Sequence, residues 1–470
     1  MKKAFLFLGA MAICASSVFA QEEKKEDEGY KFDTIKVLPI TSVKNQNNAG
    51  TCWSYSGIAF LESELLRMGK GEYDLSEMYV VEKTYNDRAY AAVRTHGDVS
   101  FSQGGAFNDV IYCLRNYGMV PDEVMPAGKM YGDTLSNHTE LSALTDVMVE
   151  AVAKGKLKKL QMSPDGQPLW QKAIAAVHET YLGPIPEKFN YKGVEYTPKS
   201  FGESLGLNPD DYVSLTSFNH HPFYDKFVIE IQDNWRWAQS YNLPIDEFME
   251  VFDYAIDNGY TVAWGSDVSE QGFRYSRKGF AVLPATEAPK AGVGSDQAKW
   301  SGMKAGDIAD EAAKHPTPQR WVTQEERQQG YDNWETTDDH GMLIYGTAKD
   351  QMGNEYYMVK NSWGDYGDYH GMFYASTLRH RFKIVSSSLI CTHSSSCFFH
   401  LRSSDADNVW ITSPFLNGFC SNVFPFTLTI SDSPVRILYN STILLKYLTG
   451  IFIKNVMEKG LLRYMKCVKV

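Results

Sequence analysis

Apolar residues recur at helical spacing just after position 52. Ile58, Leu61 and Leu65 share one face, while Glu62, Glu64 and Arg67 are among the polar positions. Cys52 therefore stands at or just before a helix N-terminus, approached through Gly50 and Thr51. Leu141, Leu144, Met148 and Val152 make a second helical stripe, and Trp170, Ile174, Val177 and Tyr181 a third. After Pro244 a helix is predicted from Asp246 through Phe252 to Ile256. Residues 260–264 read as a strand. So do residues 342–345, 356–360 and 372–375, which are short, apolar or aromatic, and separated by Gly, Asn or Asp. Residues 350–354 suit a hairpin turn, and residues 288–319, rich in Ala, Gly, Pro, Lys and Asp, suit a long surface loop. No internal repeat is present. Helices followed by a late group of antiparallel strands predict an α+β fold.

Both ends depart from this pattern. Lys2 and Lys3 precede an apolar run over residues 4–13, and Val18, Phe19 and Ala20 supply a small-residue cleavage site. Residues 1–20 thus read as a signal peptide cut after Ala20, with export to the periplasm or medium, and residues 21–32 as a charged linker. A lipid anchor at Cys14 fits less well, because Ile13 is bulky for the preceding position. Beyond Ser376 the charge bias reverses, with four acidic residues against eleven Lys and Arg. Ser-rich runs and four cysteines also appear there. Residues 437–453 are apolar but broken by Asn440, Ser441 and Lys446, a poor membrane span.

The 470-residue chain is 43% hydrophobic and 13% aromatic, enough for a large core. Its formal net charge of -11 argues against nucleic-acid binding, which depends on neutralising phosphates. Of seven cysteines, only Cys52 and Cys113 lie between the signal peptide and the tail. An exported chain so poor in cysteine is no disulfide scaffold, and a body cysteine is better explained by packing or reactivity. Cys113, within Ile111-Tyr112-Cys113-Leu114, reads as a core thiol. Cys52, at a helix start, has one of the features that favour a thiolate.

Three separated blocks sharpen the picture. Gln46-Asn47-Asn48-Ala49-Gly50-Thr51-Cys52-Trp53-Ser54 places a Gln six residues before the Cys. His340-Gly341-Met342-Leu343-Ile344-Tyr345-Gly346 places a His where a loop enters an apolar strand. Asn361-Ser362-Trp363-Gly364 follows the next strand. In composition and order these blocks resemble the papain superfamily of cysteine peptidases. The resemblance implies a two-lobed fold, with a helical lobe carrying the Cys and an antiparallel β lobe carrying the His and Asn. It further implies Cys52 as nucleophile, His340 as its base, Asn361 as the residue orienting that base, and Gln46 with the Cys52 N–H as the oxyanion hole. Trp363 would shield the His340–Asn361 bond. Gly104 and Gly105, in Ser102-Gln103-Gly104-Gly105, would pair with an extended peptide substrate.

The departures are equally specific. Ala49 stands where papain-like enzymes carry a disulfide cysteine, and 288 residues separate Cys52 from His340, about twice the roughly 130–150 of the small enzymes. Together with Asn242-Leu243-Pro244-Ile245-Asp246, Trp264-Gly265-Ser266-Asp267 and Thr336-Thr337-Asp338-Asp339, this resembles the bleomycin hydrolase and aminopeptidase C branch. That branch carries a mainly helical insertion, expected here at about 133–242 within a peptidase domain over 33–376. It implies aminopeptidase action, peptide substrates, no cofactor or metal, and a ring of six subunits. Residues 377–470 match none of its usual ending and read as a frameshift, a fusion or a different gene end. An endopeptidase, a silent binding protein of the same fold and an acyl transferase of transglutaminase type are the competing readings. His220 and His221 have no spaced His or Cys partner and read as ordinary surface or core residues, and His370 likewise lacks a partner.

Overall fold

The structure, a computed structural model, describes residues 29–155, 159–269, 271–283, 314–316 and 318–377, and five short backbone strands between 388 and 439. The expected signal peptide, most of the linker, most of the 288–319 loop and much of the tail lie outside the described residues.

The chain enters through β1 (Phe32–Val37) and then builds a helical layer from α1 (Cys52–Arg67), α2 (Glu77–Arg94) and α3 (Phe107–Asn116). Every residue of α1 from Trp53 to Leu65 is buried, so this helix is the spine of the lobe. Ile58, Phe60, Leu61 and Leu65 are fully enclosed, each contributing about 1.5–3 kcal/mol. Ser76 caps α2 by accepting the Tyr79 N–H at 3.1 Å, and its hydroxyl donates to the Met125 carbonyl at 2.6 Å. Outside lie α4 (Thr139–Ala153) and α5 (Leu169–Leu182), each burying a single stripe against α2. The α4 stripe is Leu141, Thr145, Val149 and Ala153, one position on from the expected apolar set, and Leu144 is 45% exposed. Thr145 can face inward because its hydroxyl donates back to the Leu141 carbonyl at 2.8 Å.

A hairpin of β2 (Phe189–Tyr191) and β3 (Val194–Tyr196) leads to α6 (Pro198–Ser204), capped by Thr197 with Pro198 in its first turn. Then come β4 (Tyr212–Thr216), β5 (Lys226–Val228), β6 (Gln239–Asn242), α7 (Ile245–Asp257), β7 (Val262–Ser266), β8 (Phe280–Ala281) and α8 (Gln324–Asp332). The last strands of the body are β9 (His340–Asp350), β10 (Glu355–Lys360) and β11 (Met372–Ser376). The expected insertion therefore supplies α4–α6, but its second half also feeds β4–β6 into the main sheet. Those strands are too short and too polar to show a clear period in the sequence.

With β12 (Ser388–Cys391), ten strands form one sheet in the order β5-β6-β4-β12-β7-β9-β10-β11-β8, with β1 also paired to β9. The hairpin turn at 350–354 forms as expected. Asp350 Oδ1 accepts the Met352 and Asn354 N–H groups at 2.9 Å each, and Gly353 takes φ +85°. Strand β12 belongs to the anomalous tail, yet its backbone lies antiparallel to both β4 and β7. Beyond it, the strand at 397–402 pairs antiparallel with that at 408–413, and the strand at 424–430 with that at 433–439.

The helical layer buries two histidines. His138, just before α4, pairs through Nδ1 with the Tyr85 hydroxyl at 3.2 Å, and His178 of α5 pairs through Nδ1 with Asn86 Oδ1 at 2.8 Å. Neither Nε2 has a partner. Burial pushes each pKa down to about 4, with His138 adding to the effect on His178, whereas each returns to about 6.5 in the unfolded chain. Protons thus bind the unfolded chain first, and each histidine's stabilising effect is complete above pH 6.5 and lost towards pH 4. Buried Glu77 and Glu82, pushed up by burial to about 7 and 8, act in the opposite sense, so the histidine effect is read as a difference. The stability gap between parent and His178→Gln, from urea unfolding, is expected to shrink by up to about 3 kcal/mol between pH 7 and pH 4. A pH-independent gap would contradict the buried neutral imidazole.

Candidate active site

The site forms where the N-terminal segment, the first turn of α1 and the leading end of β9 meet. Residues 44–46 run beside 362–364: the Gln46 N–H donates to the Ser362 carbonyl at 2.8 Å, and the Gly364 N–H to the Lys44 carbonyl at 3.0 Å. This pairing brings two blocks more than three hundred residues apart into register. Cys52 opens α1, its thiol directed to the boundary, where the Gly341 and Trp53 N–H groups reach its sulfur. The approach is held by Gln103, whose Oε1 accepts the Gly50 N–H at 2.8 Å and whose carbonyl accepts the Trp53 indole N–H at 3.0 Å.

His340 is the first residue of β9, and its Nε2 lies 2.7 Å from Asn361 Oδ1. The amide is oriented because its Nδ2 donates to the Tyr366 hydroxyl at 2.8 Å while Oδ1 also accepts the Ser362 N–H at 2.7 Å. An amide oxygen only accepts, so His340 Nε2 carries hydrogen and Nδ1 is left with its lone pair. Trp363 covers the pair, with ring centroids 4.7 Å apart, and Phe273 packs edge-on behind it. His340 and Asn361 are both buried.

Burial drives the His340 pKa down to about 4, and the Asn361 bond only partly offsets this. Burial likewise pushes the Cys52 thiol up to about 12; Asp338 and Asp233 add to the rise, while the Gly341 and Trp53 N–H groups oppose it. The enclosed site therefore favours a neutral thiol beside a neutral imidazole. Transfer of one proton to Nδ1 creates a thiolate at a helix N-terminus, where the macrodipole and the two N–H groups stabilise it.

Gln46 is buried beside this pair. Its Oε1 accepts the Ser362 hydroxyl at 2.7 Å, and its Nε2 donates to the Ala49 carbonyl at 2.7 Å. One amide hydrogen remains for another acceptor. Behind the site, Lys360 donates to Thr41 Oγ1 at 3.0 Å, Thr41 donates to Glu62 Oε2 at 2.6 Å, and Lys44 meets Glu77 at 2.8 Å. Lys44, Glu62, Glu77 and Lys360, with Gly341, Asn361 and Ser362, line a small space with room for about one water.

Cys52, His340, Asn361, Gln46 and Trp363, the residues expected from sequence, thus converge at one boundary. Gly104 and Gly105 lie in the loop before α3, where neighbouring side chains come close to both. A Cβ on Gly104 would sit 2.2 Å from the Asp233 carboxylate, and one on Gly105 would meet the Trp53 ring at 2.8 Å. The Gly104 carbonyl is already engaged by the Arg88 guanidinium. Gln103, Ser362, Tyr366 and Asp233 also shape the site. Ser362 and Tyr366 were detectable from their adjacency to Asn361, whereas nothing in the sequence marks Asp233. His370, read as lacking a partner, meets Asp365 at 2.9 Å on the exposed surface.

Gly341 sets how closely the two lobes approach, since a Cβ there would lie 2.7 Å from Ser56 Oγ and 3.1 Å from the Phe107 ring. Gly341→Ala is expected to cost about 1–3 kcal/mol in thermal unfolding, and Ser56→Ala in the same chain to recover part of that loss. Additive effects of the two changes would show that they do not meet.

Comparison with known proteins agrees with this geometry. The Peptidase C1-like family matches residues 79–284, a span that runs from α2 to just past the end of β8 and lies between Cys52 and His340. Aminopeptidase C of Streptococcus thermophilus is 23% identical over 398 residues, covering 76% of this chain and 81% of that protein. Aminopeptidase G of Lactobacillus delbrueckii subsp. lactis is 23% identical over 384 residues, covering 72% and 78%. In fold, a crystal structure of PepW from Lactobacillus rhamnosis HN001 superposes with a TM-score of 0.57 at 20% identity, covering 77% of this chain and 82% of that one. The chain is thus similar to aminopeptidases C and G over most of its length, to the Peptidase C1-like family over residues 79–284, and to PepW in fold.

Proposed function

We propose that this protein hydrolyses peptides from their amino end through an acyl-cysteine at Cys52. His340 Nδ1 takes the thiol proton as sulfur attacks the scissile carbonyl, and returns it to the leaving amine. The oxyanion is met by the Cys52 N–H and the free amide hydrogen of Gln46. Water then attacks the thioester, with His340 again as base, and frees the acid and the thiol. The carrying observation is the His340–Asn361 bond of 2.7 Å beneath Trp363, which leaves Nδ1 as acceptor.

Two features support action at the amino end. Relatives similar over most of this chain are aminopeptidases C and G. In addition, Asp233 and Asp338 line a cleft beside Cys52 and lie close enough to bias its thiol, so the cleft suits a substrate ammonium group. The Gly104–Gly105 loop borders Asp233 and would run beside the extended substrate. The proposal extends to export after cleavage at Ala20, supported by Lys2, Lys3, the apolar run and the small-residue site, and to a ring of six subunits, supported by the family resemblance.

Cys52→Ala is expected to abolish hydrolysis of fluorogenic peptides, and Gln46→Ala to lower kcat by about 10²–10³. Unchanged turnover in Cys52→Ala would sink the mechanism. A substrate with a free amino end is expected to be cut at least about tenfold faster than its N-acetylated form, that factor being 1.4 kcal/mol of recognition. Equal rates would identify an endopeptidase instead.

A further inference from the structure

Away from the thiol, His220 and His221 converge on one carboxylate. His220 Nε2 lies 3.1 Å from Glu230 Oε2, and His221 Nε2 lies 2.8 Å from Glu230 Oε1. The three donor atoms all fall within 4.8 Å of one another. Two donors each about 2.1 Å from one ion, at angles between octahedral and tetrahedral, stand roughly 3.0–3.4 Å apart, close to the two His–Glu spacings.

The Gln328 amide is oriented on both sides, since its Nε2 donates to Asp332 Oδ1 at 2.8 Å and its Oε1 accepts the Asn219 N–H at 2.8 Å. The same Oε1 faces His220 Nδ1 at 3.2 Å. An Nδ1–H that donates to that oxygen turns Nε2 towards the Glu230 carboxylate. A buttressing bond at the other ring nitrogen is also how metal-binding histidines are generally oriented.

The site is built before any ion arrives. Tyr331 stacks on the His220 ring at 5.6 Å and donates its hydroxyl to the Glu230 carbonyl at 2.8 Å, while Phe227 stacks on His221 at 4.2 Å. All three donor residues remain open to solvent, so an ion has a path in. Glu230 also lines the cleft that reaches Asp233 and Asp338.

We propose that His220, His221 and Glu230 bind a divalent transition ion, zinc foremost, at the rim of this cleft. Two imidazoles and one carboxylate suit zinc and leave a coordination position for water. The ion would tie the loop that carries the two histidines to Glu230 on the cleft rim, outside the thiol chemistry.

The test uses the full chain carrying Cys52→Ala, so that the active-site thiol cannot bind the probe, with Zn²⁺ as that probe. After stripping with EDTA, zinc equivalents and affinity are read by isothermal titration calorimetry. The same titration is run with His220→Gln/His221→Gln, with Glu230→Gln and with Gln328→Leu, each in the Cys52→Ala chain. The double histidine variant is expected to bind one equivalent fewer, and Glu230→Gln to weaken that equivalent at least tenfold. Gln328→Leu is expected to weaken it about 10–100-fold, through loss of the bond that orients His220. Equal stoichiometry and affinity in all four chains would overturn the proposal, including the case in which a proton alone joins His220 to Glu230. Glu230→Gln keeps shape and hydrogen bonding, and its thermal melt in EDTA against the parent separates a lost ligand from a lost fold.

Discussion

The site depends on the close approach between the first turns of α1 and the leading end of β9. Gly341 lies against Ser56 and Phe107 with no space for a side chain, and its N–H reaches the Cys52 sulfur. Because His340 precedes Gly341, this contact brings the start of β9, which carries the imidazole, to the N-terminal end of α1. Because β9 pairs with β10, it also brings Asn361 from the end of β10 beneath the ring. The pairing of residues 44–46 with 362–364 then adds Gln46 from the other side. A shift of one residue between β9 and β10 would turn every alternate side chain to the wrong face, so the sheet register and the site geometry are one constraint.

Charge buried behind this contact ties together elements that apolar packing alone would leave free to slide. Lys44 bridges Asp74 and Glu77, and Lys360 reaches Glu62 through Thr41. Against the cost of burial, Glu77 and Glu62 keep Lys44 protonated, while burial pulls the Lys360 pKa down. Removing ions from water is costly, and such networks are better understood as fixing geometry than as adding stability. Lys360 immediately precedes Asn361, so the network anchors the backbone that positions the orienting amide.

The sheet also changes how the tail is viewed. Its composition differs from the body, yet β12 lies between β4 and β7 in the same ten-stranded sheet that carries β9. The compositional boundary near Ser376 therefore does not coincide with the edge of the sheet. On the far side of the cleft, the rim formed by residues 218–230 and α8 carries its own polar cluster, organised around Gln328 and Glu230.

The sequence alone marked the candidate site residues and determined the strongest elements. Cys52 at a helix start, His340 opening an apolar strand and Asn361 followed by Ser-Trp-Gly are local patterns, and local patterns survive without coordinates. The helices α1, α5 and α7 and the strands β9–β11 were legible for the same reason, since their apolar periods are strong. Tertiary structure decided what depends on distant partners. It rotated the buried stripe of α4 by one position, because a threonine that satisfies its own hydroxyl can face a core. It drew the short polar strands β4–β6 into the sheet, where pairing supplies what their side chains do not. It set Asp233 against Gly104 and Glu230 against His220 and His221. Neither contact leaves a sequence signal, because a carboxylate takes its role from the groups that folding places around it.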